Sequence, residues 1–156
     1  MKNKIKFIDL FAGIGGFHLA LNKVNGECLF ASEWDKECQK IYEKNFHLKP
    51  FGDITKINEK EIPKHDVLCA GFPCQAFSIS GKRQGFKDTR GTLFFDVARI
   101  IKHHQPKLIL LENVKNFLTH DNGNTISVVK KTLEELNYNV FYKVLNSSNF
   151  GIPQKR

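Results

Sequence analysis

The sequence contains no run of apolar residues long enough to span a membrane, and no signal-peptide pattern opens it. Its four cysteines include no C-x-x-C pair, and its six histidines show no metal-ligand spacing such as H-x-x-x-H. These absences argue against a membrane protein, a zinc site and a thioredoxin-like redox centre. Unpaired thiols without a signal sequence predict a soluble protein of the reducing cytoplasm that binds no metal.

Acidic residues are few relative to basic ones. Lys and Arg number 24 against 16 for Asp and Glu, and the formal net charge is +8. Such an excess in a small protein favours a polyanionic partner, nucleic acid above all, although charge can also serve solubility alone. With 156 residues and 41% hydrophobic content, the chain has the size and composition of one ordered domain, which we place at residues 1–156.

Short apolar runs alternate with amphipathic stretches along the chain, and no linker or internal repeat interrupts them. This order predicts an α/β fold with a mainly parallel sheet and flanking helices. Strands are predicted at residues 5–11, 27–32, 66–70, 107–111 and 139–145, with a further strand that ends near 52–55. Helices are predicted at residues 17–24, at 36–46 with Asp35 as the cap, at 92–103, and from the turn at 120–124 to about residue 136.

A glycine-rich turn at residues 12–16 follows the first predicted strand and precedes a helix, as in nucleotide-binding folds. The third glycine comes too early for a dinucleotide motif. A shorter ligand with a carboxylate, such as the methionine end of S-adenosylmethionine, fits equally well, and so does a turn without a ligand. Glu33, 20 positions after Gly13, could accept hydrogen bonds from ribose hydroxyls. Trp34 could pack on a sulfonium or simply fill space, and Asp53 could accept from an adenine amino group or belong to a turn.

Cys74 lies where the predicted strand at 66–70 opens into a loop rich in Gly, Ser, Lys and Arg. A thiol in such a basic environment suits a nucleophile for an anionic substrate, although most cysteines are structural, as we predict for the other three. Glu112 follows the strand at 107–111 and should share the ligand edge of the sheet with Cys74 and Glu33. We therefore favour a catalytic role for Glu112 over that of a solvated acid or a helix cap.

Six motifs, in order and at matching intervals, resemble those of the DNA (cytosine-5) methyltransferases. They are FIDLFAGIGG at residues 7–16, EWD at 33–35, GDI at 52–54, GFPCQ at 71–75, ENV at 112–114 and QKR at 154–156. The loop CQAFSISGK at 74–82 and the stretch RGTLFFD at 90–96 extend the resemblance over essentially the whole chain. The resemblance implies the Rossmann-like fold of S-adenosylmethionine-dependent methyltransferases, incomplete at the carboxyl end.

The resemblance also implies S-adenosylmethionine as the cofactor, double-stranded DNA as the substrate and a restriction-modification system as the setting. The cofactor-binding residues that it assigns are Phe11, Gly13, Ile14, Gly15, Gly16, Glu33, Trp34, Asp53, Ile54, Pro73 and Leu93. Among them, Glu33 would hold the ribose, while Asp53 and Ile54 would contact the adenine.

Catalysis, by the same resemblance, would depend on Cys74, Glu112 and Arg156. Cys74 would attack C6 of a cytosine flipped out of the helix, so that C5 takes the methyl group, and loss of the C5 proton would release the cysteine. Glu112 would bind the N3 and amino edge of the base, and Arg156 would support the base or the nucleophile. The DNA contacts that it assigns to the loop are Gln75, Ser78, Ser80, Lys82 and Arg83.

Members of this family continue past the QKR motif into a target-recognition domain, so we expect this chain alone to methylate specific DNA weakly or not at all. It could be a fragment, the product of a truncated gene, or half of a split enzyme that a second chain completes. An RNA cytosine methyltransferase and a non-catalytic nucleic-acid-binding remnant are alternative functions. A nicotinamide dehydrogenase is a weaker one, because it gives no reason for Cys74 and Glu112 at one edge.

Overall fold

The computed structural model describes residues 3–74 and 93–154, and four parallel strands lie at its centre in the order β2-β1-β3-β4. The strands are β1 (Ile5–Leu10), β2 (Gly26–Ser32), β3 (Val67–Ala70) and β4 (Leu108–Leu111). Each agrees within one residue at either end with the strand predicted from its apolar run. The predicted α/β fold with a parallel sheet is confirmed.

Helices cover both faces of the sheet. They are α1 (Gly16–Asn22), α2 (Lys36–Phe46), α3 (Leu93–His104) and α4 (Asn124–Glu135). The cap predicted for α2 is present, since the Asp35 side chain accepts a hydrogen bond from the Cys38 N–H at 2.8 Å. Among residues 3–74 and 93–154, no helix combines the length and the apolar character that a membrane span requires.

Side chains that alternate in direction along β1 contribute to a hydrophobic core on each face of the sheet. The larger cluster lies on the side of α3 and α4, and it includes Ile8, Leu10, Leu68, Val97, Ile100, Val129 and Leu133. On the other face, Phe7 and Cys69 pack against Phe17 and Leu21 of α1. Because side chains two residues apart share a face, this central strand contributes to both layers and is buried from Phe7 onward.

The carboxyl ends of all four strands meet at one edge of the sheet. Leu10 lies opposite both Ser32 of β2 and Ala70 of β3, and Ala70 lies opposite Leu111 of β4. The chain therefore leaves every strand at the same level, and the segments that follow the strands form a common rim.

Two predicted strands are absent from the described structure. Near residues 52–55 there is a 3₁₀ turn, Ile54–Lys56, and only Phe51 makes an isolated parallel bridge to Ser32. Residues 139–145 form no strand and have no pairing partner among the described residues. The alternation of apolar and polar residues that predicted a strand there reports which side chains share a face, but a strand also needs a neighbour.

Candidate active site

The glycine turn connects β1 to α1 through three residues with positive φ. Phe11, Gly13 and Gly15 have φ of 55°, 53° and 96°, and the Ala12 N–H donates to the Ser32 carbonyl at 2.9 Å. A Cβ built on Gly13 or Gly16 meets no atom within 4 Å, so their backbone is open to a ligand. The predicted tight turn is present, and its glycines leave room for a close backbone approach.

Gly15 has no room for a side chain in this fold. A Cβ at this position would lie 2.1 Å from the Phe46 ring, which stacks on His18 with centroids 4.0 Å apart. Gly15→Ala is expected to lower the free energy of unfolding by about 2–4 kcal/mol, because it combines this clash with a left-handed φ. Gly16→Ala is the matched control, with an expected change within about 1 kcal/mol. Urea unfolding measures both, and equal losses would contradict the packing role of Gly15.

Glu33 follows β2 directly and reaches the glycine turn. Its Oε2 accepts a hydrogen bond from the Gly13 N–H at 2.7 Å, and its Oε1 accepts one from the Asp35 N–H at 2.9 Å. Only 8% of the residue is exposed. Each carboxylate oxygen can accept a second hydrogen bond, so Glu33 can hold the turn and still bind ligand hydroxyls. The structure thus brings Glu33 into contact with Gly13, the residue 20 positions earlier from which its role in ligand binding was predicted.

Trp34 and Asp53 lie beside this turn in different environments. Trp34 is 80% exposed, so it does not serve as core packing, and its ring is available to a ligand. Asp53 accepts hydrogen bonds from the N–H and hydroxyl of Thr55, and these bonds lower the pKa of its carboxyl group. Asp53 therefore stabilises a turn, which was the alternative to its predicted contact with adenine.

Arg99 of α3 anchors the segment that follows Asp53. Its guanidinium donates to the Ile54 carbonyl at 2.8 Å and to a Glu59 carboxylate oxygen at 2.9 Å. The Ile54 side chain is buried in the larger core cluster and presents little surface to a ligand. Of the other predicted cofactor residues, Ile14 and Pro73 are exposed and Leu93 begins α3.

Cys74 and Glu112 line one cavity at the carboxyl edge of the sheet. Cys74 is half-buried and packs against the larger core cluster, four residues after β3 ends. Glu112 follows β4, and its Oε2 lies over Gly71, where an added Cβ would be 3.5 Å away. The Asn113 side-chain amide donates to the Phe72 carbonyl at 2.7 Å and so joins the two segments. The shared edge predicted for this pair is present.

The remaining predicted site residues lie outside the described residues, and their roles stay predictions. They are Arg156 of the catalytic set and Gln75, Ser78, Ser80, Lys82 and Arg83 of the DNA-binding set. Within residues 3–74 and 93–154, no group of three or more His, Cys, Asp or Glu is placed to hold a metal ion.

The other three cysteines differ from Cys74 in position. Cys28 and Cys69 lie in β2 and β3, and burial raises the pKa of Cys28 to about 11 and that of Cys69 to about 12. Cys38 lies in the first turn of α2. A thiol with a raised pKa is rarely ionised at neutral pH, which supports the structural role predicted for the two strand cysteines.

Sequence reasoning missed Asp9, a carboxyl group inside the sheet. Asp9 is fully buried in β1, and neither of its oxygens has a hydrogen-bond partner among the described residues. Burial raises the pKa of Asp9 to about 8, and the neighbouring Glu33 carboxylate also acts to raise it. The group is therefore mainly protonated at neutral pH. An acid within an apolar strand, Phe-Ile-Asp-Leu-Phe, was the signal available in the sequence.

Comparisons with known proteins show the family to which this chain belongs. Residues 5–156 match the sequence family described as C-5 cytosine-specific DNA methylase. The chain is 63% identical over 152 residues to the type II methyltransferase M.HhaI of Haemophilus parahaemolyticus, which covers 97% of this chain and 46% of that protein. It is 58% identical over 151 residues to M.NgoBI of Neisseria gonorrhoeae, covering 97% of this chain and 48% of that protein.

Solved structures show the same fold. The Dnmt2 methyltransferase of S. pombe superimposes with a TM-score of 0.78 and 26% identity, over 98% of this chain and 48% of that one. The chain thus spans about half the length of the curated relatives and of the solved structure that it matches.

Proposed function

We propose that this chain, which belongs to the C-5 cytosine-specific DNA methylase family, supplies the catalytic half of a DNA cytosine-5 methyltransferase in a restriction-modification system. The observation that carries the proposal is the joint placement of Cys74 and Glu112 in one cavity, at the rim that also bears the glycine turn and Glu33. A methyl donor and a cytosine bound at this rim would lie side by side. Its DNA substrate would place the protein in the cytoplasm.

The described residues fit S-adenosylmethionine as the cofactor. The open backbone at Gly13 and Gly16 can receive the methionine end, and the unused acceptor sites of Glu33 can receive the ribose hydroxyls. The exposed Trp34 ring offers its face to a cation. When bound, the cofactor supplies a methyl group activated by the positive charge on sulfur.

Cys74 would act as the nucleophile in this reaction. Its thiolate would add to C6 of cytosine, so that the C5–C6 double bond becomes a single bond and a C4=C5 enamine forms. The electron-rich C5 would then take the methyl group as the methyl–sulfur bond of the sulfonium donor breaks and leaves a neutral thioether. A base then removes the C5 proton, the C6–S bond breaks, and the thiolate leaves with its electron pair. Glu112, within the same cavity, would bind the N3 and exocyclic amino edge of the ring and stabilise the charge that develops there.

The cytosine would have to leave the DNA helix to be attacked, because C6 is covered by the neighbouring bases in the stack. The cavity beside Cys74 would receive the extruded base, and the net charge of +8 would favour the phosphate backbone. The proposal also includes contacts to DNA or to the base from six residues that the resemblance assigns: Gln75, Ser78, Ser80, Lys82, Arg83 and Arg156.

Glu33→Ala is expected to weaken S-adenosylmethionine binding by about 1–3 kcal/mol, because the ribose hydroxyls and the Gly13 N–H lose their acceptor. Glu37→Ala is the matched control, since Glu37 lies four residues away and pairs with Lys40 on the surface. Isothermal titration calorimetry gives both affinities, and circular dichroism verifies folding. Unchanged affinity in Glu33→Ala would rule out the ribose role.

Transfer of labelled methyl from S-adenosylmethionine tests the proposed function. Mixed-sequence duplex DNA and tRNA are offered in parallel, to the chain alone and to the chain mixed with the half of M.HhaI that lies beyond the matched region. Label at C5 of DNA cytosine is the expected result, with little or none from the chain alone and more from the mixture. Label in tRNA alone would replace the DNA assignment with an RNA substrate. DNA retention that survives Cys74→Ala, with no transfer in either arrangement, would indicate a non-catalytic binding protein.

A further inference from the structure

The edge of the sheet at which the strands begin, opposite the catalytic rim, carries an excess of positive charge. Six exposed lysines lie there, next to the starts of the strands or at the carboxyl ends of α1 and α3: Lys4, Lys6, Lys23, Lys64, Lys102 and Lys107. Among the described residues, two acids accompany them, Glu27 and Asp66. We call this surface the basic edge, and six lysines less two acids leave it four positive charges in excess.

Contacts around Asp66 join three strands of the basic edge. The Asp66 N–H donates to the Lys6 carbonyl at 2.8 Å, and the Leu108 N–H donates to the Asp66 carbonyl at 3.2 Å. The Asp66 carboxylate accepts from the Lys6 N–H at 3.2 Å and from the Lys107 ammonium at 2.9 Å. Lys6, Lys64 and Lys107 therefore lie beside one another at the starts of β1, β3 and β4, and their charges act on a common surface.

The two acids of the basic edge do not neutralise these central lysines. Glu27 lies 3.9 Å from Lys4, and Asp66 pairs with Lys107. Lys6, Lys23 and Lys64 form no ion pair with any residue in the described part of the chain. Lysine without a local partner is available to an anion from outside the chain.

Neighbouring elements add no further negative charge. Each of the two lysines of α4 has a glutamate one turn further on, at 3.7 and 3.9 Å, so the helix is neutral. In the 3₁₀ turn that precedes β3, Glu59 pairs with Arg99 at 2.9 Å. The other two charges of that turn, Lys60 and Glu61, cancel. The positive excess of the basic edge therefore persists when its surroundings are included.

Helix ends explain only part of this arrangement. The carboxyl end of a helix carries partial negative charge and favours a nearby cation. This effect accounts for Lys23, which caps α1, and for Lys102 in the last turn of α3. It does not account for Lys6 and Lys64, which lie at or before the starts of strands.

We propose that the basic edge binds the phosphate backbone of a second segment of duplex DNA, while the catalytic rim faces the segment to be methylated. The choice of DNA as the polyanion rests on the proposed function. β1 has six residues and separates the two surfaces by about 20 Å, so a straight duplex at the rim does not also cover the basic edge. Contact with two segments would keep the protein on DNA while the rim exchanges one segment for another.

The shape and chemistry of the basic edge fit a duplex. Four strands at a spacing of about 4.8 Å make the edge about 15 Å wide, and a duplex carries one negative charge for about every 1.7 Å of its axis. Several phosphates would thus face the lysines. The exposed apolar residues that adjoin these lysines along the chain, Ile5, Val24 and Leu108, offer no aromatic ring for the stacking that holds single-stranded bases.

A pair of charge-matched variants tests the proposal. Lys6→Gln with Lys64→Gln removes two unpaired lysines from the basic edge. Lys44→Gln with Lys49→Gln removes two exposed lysines from the segment between Glu33 and Phe51, whose ends meet at the rim. Sedimentation equilibrium with a short duplex in excess, at low salt and without cofactor, counts the duplexes bound to each chain.

The basic-edge variant should bind one duplex fewer than the wild type, because losing two phosphate contacts weakens that duplex by about tenfold or more. The control variant should bind as many as the wild type, and circular dichroism verifies that both variants fold. Equal numbers for the basic-edge variant and the wild type, or equal losses in the two variants, would overturn the proposal. Displacement of the additional duplex by polyglutamate at equal charge concentration would assign the surface to an acidic polypeptide instead.

This count is independent of methyl transfer. A duplex that depends on Lys6 and Lys64, in a protein that transfers no methyl group, would leave the basic edge as a DNA-binding surface and remove the proposed function. Methyl transfer without such a duplex would do the reverse.

Discussion

Cys74→Ser is expected to reduce methyl transfer by about a thousandfold or more while S-adenosylmethionine affinity stays within about twofold. The thiol ionises far more readily than the serine hydroxyl, so only the cysteine provides an anion that can add to C6. Cofactor affinity should survive because the proposed cofactor contacts lie at the glycine turn, Glu33 and Trp34. Single-turnover transfer to duplex DNA and calorimetric titration of the cofactor measure the two quantities.

Covalent trapping of DNA on the protein is a second test of Cys74 as the nucleophile. A duplex that contains 5-fluorocytosine has no C5 proton to lose after methylation, so the C6–S bond should persist through denaturing electrophoresis. Cys38→Ser, at a half-buried cysteine of α2, is the control and should trap DNA as well as the wild type does. Retained transfer in Cys74→Ser, or equal losses in the two variants, would contradict the nucleophile assignment.

Asp9→Asn is expected to change the pH dependence of stability more than any other single substitution at an acid in the described chain. The ordinary pKa of 3.8 applies to the unfolded chain, and burial raises the pKa of Asp9 to about 8 in the folded one. Between these values the native state holds a proton that the unfolded state has released. The contribution of Asp9 to stability is therefore present below the unfolded pKa and is lost as the pH rises through the folded pKa.

The asparagine cannot titrate, so its unfolding free energy should lack this fall. Between pH 5 and pH 8, the stability of Asp9→Asn relative to wild type should rise by about 2–4 kcal/mol. Urea unfolding at four pH values measures the difference. Asp66→Asn is the control, because the contact with Lys107 lowers the pKa of that partly exposed carboxyl group and places its titration below this range. Parallel curves for wild type and Asp9→Asn would show that Asp9 is ionised in the fold.

Local signals in the sequence predicted most of the fold. The strands β1 to β4 lie in mainly apolar stretches of four to seven residues, a pattern typical of parallel strands with helices on their faces. The helices were visible in the spacing of their apolar residues, and Asp35 was visible as a cap. The placement of Cys74 and Glu112 at one edge followed from a rule of parallel sheets: segments that leave the carboxyl ends share a rim.

The sequence alone thus determined the order and direction of the elements and the family to which the chain belongs. Only the tertiary structure decided three further features. Residues 139–145 have no strand partner in the part of the chain that the structure describes, the Phe46 ring packs against Gly15, and Asp9 is fully buried. Each depends on atoms distant in sequence that pack against the residue. Periodicity records which way a side chain faces, whereas pairing, steric contact and the loss of solvent around a carboxyl group are set by what lies opposite.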